Sequence, residues 1–454
     1  MMSRSSVPPH RDLLYSSFNQ DYSCLAIGTR SNFKIFSTDP FGKALVRNDG
    51  GIGIVEMLFT TSLIALVGAG EQPTHSPRRL QIMNTKKQAI ICELNLPTAV
   101  LAVHLNRRRL IVVLESLIQI YDIANMKLLY SIDVTCPAHL LTTAMSPSSD
   151  LCYLAYPTNA PVGAADPSLA GTVPSAAQSP GTALGGPVAH AGDITLFDAL
   201  ALHPTTIIAA AKSPVAAMSF SPTGRYLATA SAKGTVIRVF GVPDGSIVAQ
   251  FRRGSYPARI YSLAFHPEES LLAVSSATET VHVFRLPRAG AGTGNLSRSS
   301  SSAGIANTVG VGSSGSISSD WASDVSGTGT HHPHAVEDGP PDAGAAAPPL
   351  LSSIVGTASS AVSTLWSKRA SLQAYLPDAF VKAVLDPSRD LVRARVPTGV
   401  GERSVVGFAG SAQLLVGTAE GFLHVYAMDI DGALAAAPGA DECALVRQYR
   451  LLDD

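Results

Sequence analysis

The sequence reads as an all-β chain that closes into a seven-bladed β-propeller, with long low-complexity insertions in blades 4 and 6. Three observations carry that reading. A two-strand unit recurs seven times, the copies lie about 40 to 45 residues apart once insertions are set aside, and turn-forming residues fall where the hairpins must reverse. Such a period belongs to propeller blades rather than to helical solenoids. A β-sandwich or a pair of barrels would require the spacing to be accidental.

Each copy is a short apolar strand, a small polar turn and a second strand carrying aliphatic residues next to an aromatic one. Leu25 to Ile27 precede Ile35 and Phe36, and Leu63 to Val67 precede Leu80 to Met83, the most worn copy. Leu110 to Leu114 precede Ile120 and Tyr121, and Tyr153 to Ala155 precede Leu196 and Phe197. Tyr226 to Ala228 lead to Val239 and Phe240, Leu271 to Val274 to Val283 and Phe284, and Leu414 to Val416 to Val425 and Tyr426. Ser221, Pro222, Thr223 and Gly224, then Asp244 and Gly245, supply reversal chemistry. No Trp-Asp dipeptide follows the strands, so the match to ordinary WD repeats is loose.

The single propeller is expected over residues 11–454, interrupted twice. Residues 157–191, rich in Ala, Pro, Gly and Ser, read as a flexible loop in blade 4, and 287–349, rich in Ser and Gly, as a disordered insertion in blade 6. His331, His332 and His334 in the second insertion lack a second ligand group at zinc spacing, so no metal and no other cofactor is expected. The formal net charge of −1 argues against a general nucleic-acid binder and confines any anion site to a local patch. Five scattered cysteines, Cys24, Cys92, Cys136, Cys152 and Cys443, with no CxxC pair, suit a reducing compartment. Apolar runs are far shorter than the roughly 20 residues of a membrane span, and the polar start, Met1 to Arg4, has no signal core, so a soluble protein is expected. There is no P-loop, HExxH, GxSxG or kinase signature, which points away from an enzyme.

The most informative string is Phe251, Arg252, Arg253 and Gly254, after a predicted strand Ser246 to Gln250 and before another at Ile260 to Phe265. Successive side chains of an extended chain point to opposite faces, so the two guanidinium groups diverge and predict two separate anion pockets. Guanidinium binds phosphate bidentately and keeps its charge. Polar donors recur in the flanking hairpins: Ser231, Thr235 and Arg238 before the pair, and Ser275, Ser276, Thr278, Thr280 and His282 after it. Thr278, Thr280 and His282 share one face of an extended strand and can line a single pocket. A solvated blade edge is the plain alternative for any Arg-Arg dipeptide.

These strings resemble the PROPPIN family, the WIPI-type seven-bladed propellers of autophagy. GTVIRVFGVPDG (Gly234 to Gly245), FRRG (Phe251 to Gly254), SSATETVHVFRL (Ser275 to Leu286) and ECALVRQYRLLD (Glu442 to Asp453) carry the resemblance, which covers the chain apart from the insertions. It implies binding of phosphatidylinositol 3-phosphate (PtdIns3P) and phosphatidylinositol 3,5-bisphosphate, PtdIns(3,5)P2, at two sites. Arg252 would join Ser231, Thr235 and Arg238 in the first. Arg253 would join Arg259, Ser275, Ser276, Thr278, Thr280 and His282 in the second. The family often has a histidine before the fifth blade, where this chain has Ala211 followed by Lys212, so the expected first site lacks that donor unless Lys212 substitutes for it. A non-enzymatic effector, monomeric in solution, is implied. It would be cytoplasmic and peripheral on phagophore, preautophagosomal, endosomal or vacuolar membranes, recruiting other autophagy proteins. A protein-only WD-type scaffold without lipid binding is the rival reading.

Two further segments qualify that expectation. Within 350–376, Leu351, Val355, Val362, Leu365 and Trp366 recur at helical spacing opposite a serine-rich face, the pattern of an interfacial membrane helix, with a helix packed on the propeller wall or a plain linker as alternatives. It falls in the sixth-blade loop, where the family resembles this chain in inserting a segment into the bilayer. Arg107, Arg108 and Arg109 between two strands of blade 3 form either a partner-binding patch or a solvated turn.

Overall fold

The computed structural model describes residues 12–48, 50–70, 75–159, 191–287, 388–397, 401–428 and 443–452. They form seven four-stranded antiparallel sheets, each built from strands consecutive in chain order. The blades span 13–47, 52–95, 100–133, 144–209, 215–252, 260–395 and 404–450. The seven sequence units are the second and third strands of these blades. Those strands carry the densest apolar runs because both their faces are covered by neighbouring blades: Leu110 to Leu114 and Leu271 to Val274 are all buried. Fourth strands meet water on their outer side and read as polar or mixed, as in Ala89–Asn95 and Ala444–Arg450.

Because each blade uses only its own strands, side chains join the last blade to the first. Leu25, Ile27 and Phe36 pack with Leu415, Leu423 and Leu451. Phe41 stacks on Tyr449 with ring centroids 3.9 Å apart, and the buried Lys34 Nζ donates to the Leu452 carbonyl at 3.3 Å.

Blade 6 positions the site. Its third strand ends at Arg285 and its fourth, Val392–Arg395, returns only after the insertion. Just before that fourth strand the chain leans on blade 5: Arg252 N donates to Ser388 O at 2.9 Å, and Ser388 N to Gln250 O at 3.1 Å. The outer strand of blade 5 runs beyond the sequence expectation, over Ile247–Arg252, paired with its own blade through Ile237–Phe251 and Val236–Arg252 and flanked by the parallel bridge to Ser388, so Phe251 and Arg252 lie inside the strand and Arg253 just past it. In blade 4 the second strand ends at Pro157 and the third begins at Asp193. The stretch 350–376 with Leu351, Val355, Val362, Leu365 and Trp366, and the histidines at 331, 332 and 334, lie outside the described residues. Among the described residues no helix is long and apolar enough to cross a membrane.

Candidate functional site

Strand register decides which way each candidate faces. Opposed residues of an antiparallel pair share a face, and in blade 5 Arg238 opposes Gln250 and Thr229 while Val236 opposes Arg252. Ser231, Arg238 and Arg252 therefore share the face turned to blade 4. There the Arg238 guanidinium donates through Nη1 to Ala210 O at 3.0 Å and through Nε to Gln250 Oε1 at 3.3 Å. Phe251 lies on the other face and stacks on Phe284 of blade 6 at 4.8 Å, both rings almost fully buried. Arg253, two residues on, follows that direction.

Arg253 is buried, at 8 % exposure, and held by backbone. Its Nε donates to Gly234 O at 2.7 Å and its Nη2 to Tyr256 O at 2.6 Å, which leaves other N–H donors of the fork for a ligand. Gly234, at φ +60°, sits so near Ala258 O that an added Cβ would come within 1.9 Å, so only glycine fits this turn. Burial lowers the pKa of both Arg253 and Arg238 from the ordinary guanidinium value. Arg252 and Arg259 are exposed.

On blade 6 a continuous polar chain runs from Ser276 to Asp390, and only its last member, Asp390, joins Arg253 in lining a common cavity. Ser276 Oγ lies 2.8 Å from Thr278 Oγ1, Thr278 Oγ1 3.2 Å from Thr280 Oγ1, and Thr280 Oγ1 3.2 Å from His282 Nε2. His282 Nδ1 lies 3.1 Å from Asp390 Oδ2. Arg393 grips the same carboxylate with Nε, and with Nη2 at 3.1 Å. Burial alone would raise the Asp390 pKa, but hydrogen bonds and charge from His282 and Arg393 override it and hold the carboxyl well below the usual range.

A cavity of about 520 Å³ opens beside this chain, lined by Arg252, Arg253, Gly254, Ser255, Arg389, Asp390 and Arg393. Four guanidinium groups face one carboxylate that is already shared, so the lining is net cationic. Neither Arg252 nor Arg253 pairs with a carboxylate among the described residues. The two arginines diverge as strand alternation requires, yet both reach the rim of this one cavity.

The remaining candidates distribute as follows. Thr235 carries the carbonyl that accepts from Arg253 N at 3.0 Å. Ser275 stands apart: it points to blade 7, fully buried, donating to Ser404 O at 3.0 Å, because it alternates with Ser276 on the strand. Arg107 lies over the Phe59 ring of blade 2 at 4.9 Å and Arg109 Nε donates to Ala199 O of blade 4 at 2.8 Å, so two members of the triplet tie neighbouring blades and Arg108 is left exposed. Arg389, Asp390 and Arg393 were not singled out in the sequence; the run Arg393, Ala394, Arg395, Val396 alternates as an edge strand does, and that was the available signal. Among the described residues no group of three His, Cys, Asp or Glu side chains is placed to hold a metal.

Fold and cavity together define a seven-bladed propeller with a cationic rim cleft between two adjacent blades. A profile of the PROPPIN family matches residues 13–166 and 177–305, and the chain belongs to that family. It is 43% identical to autophagy-related protein 18 of Mycosarcoma maydis, over 100% of this chain and 96% of that one. To autophagy-related protein 18 of Yarrowia lipolytica it is 39% identical, over 97% and 96%. Solved structures share the fold: the complex of KlAtg21 with the coiled-coil of AgAtg16 (TM-score 0.60, 24% identity) and Kluyveromyces lactis Hsv2 with complete loop 6CD (TM-score 0.61, 16% identity). Each superposition covers 97% of this chain and 99% of the other.

Proposed function

We propose that this chain is a non-catalytic reader of phosphoinositides that is recruited to membranes of the autophagy pathway. The observation that carries the reading is the 520 Å³ cavity bordered by Arg252, Arg253, Arg389 and Arg393. Its size suits a small polar ligand, since ligand sites run to about 300–1,000 Å³. Arginine forks bind phosphate oxygens bidentately, and charge-assisted bonds are worth about 1.5–3 kcal/mol each. The row from Ser276 to His282, joined to the cavity through Asp390, would supply hydroxyl and imidazole partners for the part of a headgroup that reaches past the lining arginines. PtdIns3P and PtdIns(3,5)P2 are the lipids that this chemistry and the family suit.

A second, weaker position lies on the opposite face of blade 5, with Ser231, Arg238 and Arg252. Arg238 is engaged there with Ala210 O, and the neighbouring Ala211 offers no side-chain donor, so the cleft toward blade 6 dominates. The segment with Leu351, Val355, Val362, Leu365 and Trp366 would add hydrophobic insertion, and several weak contacts on one surface gain roughly two to four orders of magnitude by avidity. The two curated relatives are autophagy-related proteins, and one neighbour is solved with a coiled-coil partner. Recruitment of a protein partner by another part of the propeller wall, with Arg108 available, completes the role.

The test is flotation on phosphatidylcholine vesicles containing PtdIns3P, PtdIns(3,5)P2 or neither. Wild type should float only with the phosphoinositides, either single change to threonine at Arg252 or Arg253 should weaken flotation, and the double change should nearly abolish it. Equal flotation of wild type and the double variant would return the chain to the protein-only scaffold reading.

A further inference from the structure

Among the described residues, large exposed apolar side chains fall almost entirely on the outer strands: Ile90, Ile91, Leu128, Tyr130, Ile207, Leu445 and Val446 are 42–57% exposed. Scattered apolar exposure of that kind is ordinary. Tyr256 differs in degree and place. It is 85% exposed, beyond any other large apolar side chain among the described residues, and it stands on the short connection between blades 5 and 6.

That connection is held rather than loose. The Tyr256 carbonyl accepts from Arg253 Nη2 at 2.6 Å, Pro257 fixes the next backbone angle, and Ala258 N donates to Lys233 O at 3.1 Å. A ring on a pinned backbone that does not fold down onto the protein is preorganised to meet something else. Its surroundings say what. Gly254 and Ser255 line the cationic cavity on one side, and exposed Lys233 and Arg259 flank the loop. An aromatic with a polar tip between cationic side chains is the composition favoured at the headgroup layer of an anionic bilayer.

We propose that Tyr256 is an interfacial anchor: its ring enters the headgroup region of the bilayer whose phosphoinositide occupies the adjoining cavity. This rests on the phosphoinositide reading of that cavity. Arg253 couples the two events, since one guanidinium borders the headgroup cavity and holds the carbonyl of the anchoring residue. The anchor also fixes the tilt of the disc, bringing the end of the blades with Lys233 and Arg259 against the membrane.

The experiment compares the full-length wild type with the Tyr256→Ala variant, on soluble inositol 1,3-bisphosphate and on phosphatidylcholine vesicles containing PtdIns3P. The variant should bind the soluble headgroup as wild type does but the vesicles about tenfold more weakly, the loss expected when about half of an aromatic ring no longer leaves water. The Tyr256→Trp variant, read as a difference from wild type because the chain already holds Trp321 and Trp366, should show a blue shift on vesicle binding and quenching by brominated lipid. Undiminished vesicle binding by the alanine variant, with no blue shift from the tryptophan variant, overturns the anchor while wild-type binding still upholds the cavity. Equal weakening in both assays would make Tyr256 a support of the cavity and also overturn it, as would normal vesicle binding combined with loss of a protein partner. Failure of wild type to bind headgroup or vesicles at all removes the phosphoinositide reading first, and the anchor with it.

Discussion

The cleft between blades 5 and 6 and the cleft between blades 6 and 7 are made from the same repeat and end with different chemistry. In blade 6 the third strand reads Thr280, Val281, His282, Val283, Phe284; in blade 7 the corresponding run is Phe422, Leu423, His424, Val425, Tyr426. Register confirms the correspondence, since His282 opposes Val274 and Arg393 while His424 opposes Val416 and Gln448. Each histidine faces the preceding blade. Around His282 stand Thr280, Thr278, Asp390 and Arg393, of which Asp390 and Arg393 share a cavity lining with Arg253. Around His424 the equivalent positions are Phe422, Glu420 and Gln448, and the residue matching Arg253 is the buried Val396. Neither nitrogen of the His424 ring has a hydrogen-bond partner. A propeller thus supplies seven similar clefts, and a handful of substitutions at fixed register positions decide which one is cationic, open and hydrogen-bonded.

The contrast can be broken most severely at its hinge, Phe251, which stacks on Phe284 and holds the Arg252–Arg253 strand against blade 6. Phe251→Ala should cost about 3–5 kcal/mol, the usual loss for a buried aromatic. Urea denaturation followed by tryptophan-independent circular dichroism measures it, and a loss below about 1 kcal/mol would mean that the two blades are joined elsewhere.

The histidines come next. His282→Leu removes a partner from Thr280 and from the buried Asp390, and should destabilise by about 1–3 kcal/mol. His424→Leu should be neutral or mildly stabilising, because it replaces an imidazole without partners by an apolar side chain. Reversal of that order in denaturation midpoints would refute the assignment of the two clefts.

Acid separates them more gently. Burial lowers the His424 pKa, with Glu420 opposing, so the folded state takes up a proton less readily than the unfolded chain, whose imidazole titrates near ~6.5. Stability tied to this group is complete above about pH 6.5 and declines as pH falls below it. Asp390 has the reverse arrangement: its depressed carboxyl pKa gives stability complete above the ordinary ~3.9 and lost only in stronger acid. Between roughly pH 7 and 5 the decline in stability should be shallower in His424→Leu than in wild type. His104, which burial lowers to about 4, and His266, also lowered by burial, act with the same sign, so His424→Leu removes only part of the decline.

These contrasts also mark where sequence reading works. The seven strand pairs were legible because second and third strands are covered on both faces, and Val239, Phe240, Val283 and Phe284 can be nothing but core. Thr278, Thr280 and His282 could be grouped because alternation fixes the face before any fold is known. Ser275 was grouped with them by proximity, although the same alternation sends it to blade 7. Arg389, Asp390 and Arg393 escaped notice since the insertion separates them from the rest of blade 6, and local patterning holds no information about a strand that returns from so far away. The extra pairing that Ser388 gives the blade 5 strand at Phe251 escaped for the same reason.

The smallest effect on stability should come from the residue that completes the arginine string. Gly254 lines the cationic cavity, and a Cβ built on it meets nothing within 4 Å. Its backbone is not in the left-handed region that favours glycine, so neither packing nor conformation of the empty protein requires glycine there. Gly254→Val should therefore leave the denaturation midpoint within about 0.5 kcal/mol of wild type. The space it fills is the space a headgroup would occupy, so calorimetric affinity for inositol 1,3-bisphosphate should fall by an order of magnitude or more. Unchanged affinity would place the ligand away from this wall of the cavity and shift the weight to the Ser231 and Arg238 face. A lost fold would instead show that the glycine answers to the chain and not to the ligand.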